Sequence, residues 1–309
     1  MSGHDAGLVV RALGARLELE TAQTRYRGHA RELAAASAEA GFDLVVTFGG
    51  DGTVNEVVNG LMRSQVPASD PAAAAAAGGE AAPGRRPAIA PVPGGGANVF
   101  ARTLGLPPDP AEAVQRILGA VDSGTWRTIG LGQAGDRYFT FSAGLGVDAE
   151  VVADVDRRRA TGIRATTLLY LRTALRRYYV TDRRHPALTL TVPDEPPVAG
   201  LFMGVVTNSS PWTYFGDHPV RPAHADFSSG LDLFALRRLR TLSTLAALRH
   251  MVDTTGELPS GRDVVSAAAL TELEFKADRP IAFHIDGEYQ GETEGVSFRF
   301  VPEALCVVA

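Results

Sequence analysis

The sequence predicts an open α/β domain followed by an antiparallel β domain, and three observations carry that prediction. Apolar, β-branched runs alternate with helical periods up to about residue 122, the pattern of βαβ units. Two of those runs end in glycine-rich loops that lead into helical segments. From about residue 125 the texture changes to short runs of alternating polarity separated by turn residues, as in antiparallel sheets. At 309 residues the chain has room for about two domains, expected at 1–122 and 123–309.

Composition narrows the class. Hydrophobic residues make up 45% and charged residues 21%, the balance of a soluble globular protein. The net charge of −5 provides no global basic field, so nucleic acid is not an expected partner. Cys306 is the only cysteine, which excludes an intrachain disulfide and any Cys-cluster zinc site; its setting in Leu305-Cys306-Val307-Val308 reads as a buried thiol. No run of 18 apolar residues occurs and the first residues do not resemble a signal peptide, so a cytoplasmic protein is expected.

Taken in order, residues 28–41 are Ala- and Glu-rich and close on Gly41, a helix with a glycine stop. Asp43 to Phe48 reads as a buried parallel strand; it enters Gly49-Gly50-Asp51-Gly52-Thr53, and Val54 to Met62 continues as an apolar-periodic helix. Residues 64–87, with six consecutive alanines among Pro and Gly, read as a mobile insertion. Ala88 to Val92 is the next strand, followed by Gly94-Gly95-Gly96-Ala97-Asn98. Residues 110–121 form an amphipathic helix with proline in the first turn. Beyond the boundary, Arg137 to Phe141, Ala187 to Val192 and Ser297 to Val301 alternate as strands of the β domain.

The chemistry sits in the loops. Glycines at a strand end let backbone N–H groups approach an anion, and the following helix offers its N-terminus to the same guest. Asp51, a carboxylate inside such a loop, fits a cation bridged to phosphate oxygens or a positioned hydroxyl; it also fits a helix cap. A second loop on a neighbouring strand end would face the same crevice. Neither loop matches the dinucleotide or Walker-type fingerprint.

GGDGTVNEVVNGL followed by PVPGGGANVFARTLGLP resembles the diacylglycerol kinase catalytic-domain family, which includes bacterial lipid kinases and sphingosine and ceramide kinases. Thr24-x-x-x-Gly28-His29-Ala30, Arg137-Tyr138-Phe139, Gly144-x-Gly146-x-Asp148 and Ile285-Asp286-Gly287-Glu288 resemble further family elements in family order. The resemblance implies a first domain of phosphofructokinase-like and NAD kinase-like fold and a β-sandwich second domain. It also implies transfer of the γ-phosphoryl of ATP, with Mg2+, to a lipid hydroxyl of diacylglycerol or sphingoid type. By the same resemblance Thr24, Gly49, Gly50, Asp51, Gly52, Thr53, Val54, Asn55 and Glu56 would bind the nucleotide, with Gly94, Gly95, Gly96 and Asn98 in the second loop. Asp286 would be the general base, with Asp51 the other catalytic candidate, and Glu288 would help hold nucleotide or metal. Read without the resemblance, Asp286-Gly287 is a hairpin turn.

Three departures stand out. Gly96 and Val99 replace the family's threonine and aspartate in the second loop, which costs one hydroxyl donor. Ser229 stands where the family's metal site has an aspartate, with Asp226 and Asp232 nearby, so the metal ligands are unassigned. The family's first strand, with its Asn-Pro loop, is expected to be missing, because the chain enters a helical pattern by about Leu8.

Residues 157–185 carry nine arginines against one acid, Asp182. With Leu168, Leu169, Leu171 and Leu175 and with Tyr170, Tyr178 and Tyr179, the Arg157–Arg184 stretch reads as a basic amphipathic helix. It suits peripheral contact with an anionic membrane or a solvated face packed on the β domain. A homodimer is left open. The rival readings are a soluble-substrate kinase of the NAD kinase type and a non-catalytic lipid- or nucleotide-binding homologue.

Overall fold

The computed structural model describes residues 3–64, 86–161, 167–182, 184–215, 218–220, 225–239 and 260–309. Nearly all of the insertion expected at 64–87, as well as Arg164 and Arg183, lies outside the described residues.

The first helices, α1 (Gly3–Gly14) and α2 (His29–Ala40), precede strand β1 (Leu44–Gly49). α2 ends as its glycine predicts: Gly41 takes φ 80° and its N–H reaches the Ala38 carbonyl, a left-handed stop that other residues resist. β1 passes through Gly50 directly into α3 (Asp51–Arg63). α3 packs on α2 so closely that a side chain at Gly60 would collide with the Arg31 carbonyl oxygen. Strand β2 (Ala88–Pro93) lies parallel to β1 in register from Leu44–Ala88 to Gly49–Pro93. Parallel neighbours align the same strand ends, so the loops that leave β1 and β2 emerge side by side. β1 pairs with no other strand among the described residues.

After β2 come α4 (Val99–Thr103) and α5 (Pro110–Ser123). α5 begins, as predicted, with Pro110 in the first turn, where a missing N–H costs nothing; Asp109 caps it by accepting from the Ala111 and Glu112 amides. Val9 and Leu13 of α1, Ala90 and Val92 of β2, and Val114 and Ile117 of α5 share one core with Cys306 and Val308. Cys306 is buried there, and burial pushes its thiol up to about 11, an inert packing group.

The remaining strands form an antiparallel unit. β3 (Trp126–Ala134), β4 (Arg137–Phe139) and β5 (Ser142–Gly146) lead into helices α6 (Val147–Ala160) and α7 (Thr167–Val180). Next come β6 (Leu188–Thr191), β7 (Val198–Leu201), β8 (Met203–Thr207), β9 (Thr213–Phe215), β10 (His218–Val220), β11 (Leu231–Leu236) and β12 (Val264–Leu270). β13 (Glu272–Ile285) and β14 (Glu288–Val308) close the chain as a long hairpin. β13 pairs with β6 through Glu274–Ala277 and, past a register break, with β5 through Phe283–Ile285. One strand thereby joins β6 at its start to β5 at its end. Phe139, Phe275 and Phe298 meet edge to face in the core, and the Phe139 and Phe275 rings lie against Gly132 and Gly204, where a β-carbon would strike them.

The chain divides into residues 1–131 with 302–309, and residues 132–301. The first unit therefore runs on to Leu131 rather than ending at 122. Residues 302–309, expected in the second domain, return to the first because Val307 pairs in parallel with Ile89 of β2. The arginine-rich stretch is not one helix: Arg157, Arg158 and Arg159 end α6, whereas Arg172, Arg176 and Arg177 lie on α7.

Candidate active site

In the first unit the two glycine loops lie backbone against backbone. The Gly94 N–H donates to the Gly49 carbonyl at 2.9 Å, and a β-carbon on Gly95 would stand 2.6 Å from the Gly50 Cα. Only glycine permits that approach. Gly95 and Gly96 face outward, and nothing lies within 4 Å of where a Gly96 side chain would begin. Asn98, at φ 47°, accepts from the Gly95 amide at 2.8 Å and donates to the Gly95 carbonyl at 3.0 Å, so its side chain shapes the loop from inside.

Asp51 opens α3, and its Oδ1 accepts from the Phe100 amide in the first turn of α4 at 3.1 Å. One carboxylate thus joins the two loops and brings negative charge to a second helix N-terminus. Thr53 leans over Gly49, its hydroxyl 2.8 Å from where a β-carbon there would sit. The end of the GGDGTVNE block turns inward. Val54 and Asn55 are buried, with Asn55 accepting from the Asn59 amide group. Glu56 accepts from the amides of Gly28 at 2.7 Å and Ala30 at 3.2 Å, at the start of α2. Thr24 lies exposed ahead of that helix. The outward cradle consists of Gly49 to Thr53 and Gly94 to Gly96, while Val54, Asn55, Glu56 and Asn98 hold its frame.

In the second unit, Ile285 and Glu288 pair across a two-residue turn formed by Asp286 at φ 46° and Gly287 at φ 71°, the geometry of a tight hairpin. Asp286 is only 3% exposed. Its Oδ2 accepts from the Thr140 amide at 2.8 Å and the Thr140 hydroxyl at 2.9 Å. Its Oδ1 accepts from the amides of Phe141 at 3.0 Å and Ser142 at 3.1 Å. Four bonds fill the roughly four acceptor sites of a carboxylate. Glu288 is half-buried beside the turn.

The two acids near the substituted metal motif are engaged elsewhere. Asp226 accepts from the Ser228 hydroxyl and amide, and those bonds hold its carboxyl below the usual carboxylate range. Asp232, buried in β11, accepts from the Ala269 amide at 3.0 Å. Among the described residues no group of three or more His, Cys, Asp or Glu could hold a metal ion.

A cavity of about 430 Å³, which the sequence did not reveal, lies in the second unit against α6, α7 and the sheet. Val147, Val180, Phe202 and Ile281 supply apolar lining, and Arg157 and Arg177 are among its charged groups. No helix among the described residues is long and apolar enough to cross a membrane.

An α/β unit with paired glycine loops, joined to an antiparallel β unit, is the architecture shared with solved diacylglycerol kinase structures. Residues 4–133 match the model of the diacylglycerol kinase catalytic domain. The chain is 29% identical over 284 residues to a protein named "Probable lipid kinase YegS-like" from Chromohalobacter salexigens, covering 91% of this chain and 81% of the relative. A Pseudomonas putida protein of the same name is 31% identical over 289 residues, covering 93% and 84%. A crystal structure of a diacylglycerol kinase from Bacillus anthracis superposes with a TM-score of 0.68 at 18% identity, covering 99% of this chain and 90% of that one. The chain belongs to the diacylglycerol kinase family.

Proposed function

We propose that this protein transfers the γ-phosphoryl group of ATP, with Mg2+, to the hydroxyl of a lipid. The observation that carries this reading is the pair of glycine loops packed backbone to backbone at the start of α3, with Asp51 tying one to the other. A cradle with no β-carbons, open at Gly96, suits the oxygens of a nucleotide polyphosphate. Mg2+ held between one carboxylate and phosphate oxygens needs no all-protein cage, and Asp51 is the residue in the cradle able to hold it. Bound there, the ion would neutralise charge on the transferring group.

Asp286 is the acceptor for the hydroxyl proton in this reading. With its oxygens filled, it takes that proton only by exchanging one donor. Three of the four are backbone amides; the Thr140 hydroxyl is the one that can rotate away, and a substrate hydroxyl takes its place. The cavity beside α6 and α7 suits the apolar part of an acceptor lipid. Around α7, Leu175, Tyr179 and Val180 are 57%, 62% and 67% exposed, and Arg172 and Arg176 are exposed on the same helix. That mixture of apolar and basic groups fits an anionic bilayer surface. Arg177 does not belong to it, being ion-paired with Asp154 and Glu150.

The test is ATP-dependent phosphorylation of a mixed-micelle panel containing diacylglycerol and a sphingoid base, with NAD as a soluble acceptor. Label transfer to a lipid, lost in Asp286→Asn and Asp51→Asn, supports the reading. Transfer to NAD alone, or to nothing at saturating Mg-ATP, overturns it.

A further inference from the structure

We propose that His284, held by Asp148, is a positioning residue that keeps the Asp286 carboxylate beneath the amides of residues 140–142. The inference rests on the role given to Asp286 above. His284 lies two residues before Asp286 on β13 and pairs with Gly144 of β5. Its side chain, 2% exposed, crosses over Gly144 to Asp148 in the first turn of α6, with Nε2 2.6 Å from Asp148 Oδ2. Gly144 makes the crossing possible. A β-carbon there would collide with Asp148 Oδ2 and stand 2.5 Å from His284 Nε2.

The other ring nitrogen identifies the hydrogen bond's direction. Nδ1 of His284 is buried and has no partner among the described residues. A proton on Nδ1 would be a stranded donor, so the neutral ring carries its proton on Nε2 and gives it to Asp148. β5 and α6 are contiguous, Gly146 ending one and Val147 starting the other. The bond therefore straps β13 to the β5–α6 corner at the residue pair that sets the ladder. The same ladder continues through Ile285–Ala143 to the Asp286 amide, which donates to the Ser142 carbonyl at 2.7 Å. A slip of β13 along β5 would carry the Asp286 carboxylate away from the Thr140, Phe141 and Ser142 amides, and the strap opposes that slip. At the other edge of the hairpin, Asp156 Oδ2 accepts from the amide of Tyr289, the cross-strand partner of His284, so α6 grips both strands at one level.

Amide hydrogen exchange tests this without requiring activity. In His284→Asn, whose amide sits at the Nδ1 position, exchange at Phe141 and Ser142 should quicken about tenfold or more, while Phe234 and Ala235 in the β11–β12 ladder stay within about twofold. His284→Gln, which returns a donor near the Nε2 position, should restore slow exchange. Imidazole nitrogen shifts of the wild type should report the Nε2–H tautomer. Gly144→Ala, which leaves both residues in the sequence but drives a methyl between them, should mimic His284→Asn. Equal acceleration in both regions, no acceleration, or an Nδ1–H tautomer overturns the proposal. Where wild type phosphorylates lipid, His284→Asn should lower kcat about tenfold with KM for ATP nearly unchanged. Absence of wild-type lipid phosphorylation would remove the kinase reading while the exchange result still decides the strap.

Discussion

Glu56 on α3 reaches back 28 residues to accept from the Gly28 amide at 2.7 Å, and its other oxygen takes the Ala30 amide. A carboxylate assigned by resemblance to nucleotide contact is thus the cap of α2, which has no side-chain cap of its own. Glu56→Ala should destabilise the first unit by about 1–3 kcal/mol, since two helix-terminal donors lose a charged acceptor. Chemical denaturation measures this; an unchanged midpoint would show that water replaces the carboxylate without loss.

Gly96 and Gly95 are adjacent yet should respond oppositely. The open space at Gly96 admits a threonine, and its hydroxyl would restore the missing donor to the phosphate cradle. Gly96→Thr should leave the melting temperature unchanged and tighten ATP binding several-fold, about 1 kcal/mol for one added hydrogen bond. Gly95→Ala, aimed at the Gly50 Cα, should abolish nucleotide binding. Isothermal titration with a non-hydrolysable ATP analogue compares the two, and equal affinities would contradict the arrangement.

Asp51→Asn separates anchor from charge. The asparagine carbonyl can still accept from the Phe100 amide, so thermal stability should remain close to wild type while phosphoryl transfer falls by about 10² or more. Activity within threefold of wild type at matched stability would leave Asp51 as a cap alone.

Asp154 couples helix docking to acidity. The Arg177 guanidinium, hydrogen-bonded to Asp154, holds its carboxyl below the usual carboxylate range, so the folded form binds a proton less readily than the unfolded one. The pair's stabilisation is complete above about pH 4, the unfolded value, and fades as pH drops through the lower folded value. Arg177→Gln should flatten that part of the stability profile below pH 5, as read by melting scans. A profile that keeps its wild-type slope would place the acid-sensitive group elsewhere.

Arg172 and Arg176 should govern docking rather than folding. Exchanging both for glutamine should weaken binding to anionic vesicles by about 1 kcal/mol per arginine, and added salt should reproduce the loss in wild type. Vesicle co-sedimentation reads this; full binding by the double variant at low salt would leave α7 a solvated surface.

The sequence pointed clearly to features that depend on neighbours along the chain. The Gly41 stop, the Pro110 helix start, the two strand-loop-helix units and the buried Cys306 were all visible in local pattern. Asp286-Gly287 read as a catalytic element through the family resemblance and as a hairpin turn without it; it forms a turn, and its aspartate accepts from Thr140, Phe141 and Ser142. What stayed hidden was partnership across distance. Nothing in the local context of Glu56 indicates the Gly28 amide, and Asp148 and His284 are 136 residues apart. The return of residues 302–309 to the first unit was equally invisible, because an apolar run fits either domain until its strand partner is known.

That return also fixes an order of events during synthesis. β2 is translated more than 200 residues before its partner Val307, so while the ribosome makes the whole sandwich, the first unit waits with an unpaired strand flank. N-terminal domains commonly fold as they emerge; here the first unit cannot pair that flank of β2 until Val307 has left the exit tunnel. The second unit, complete by Val301, is the part able to fold first, and a chain stalled before Val307 emerges would present a finished second unit together with an adhesive, open-edged first one.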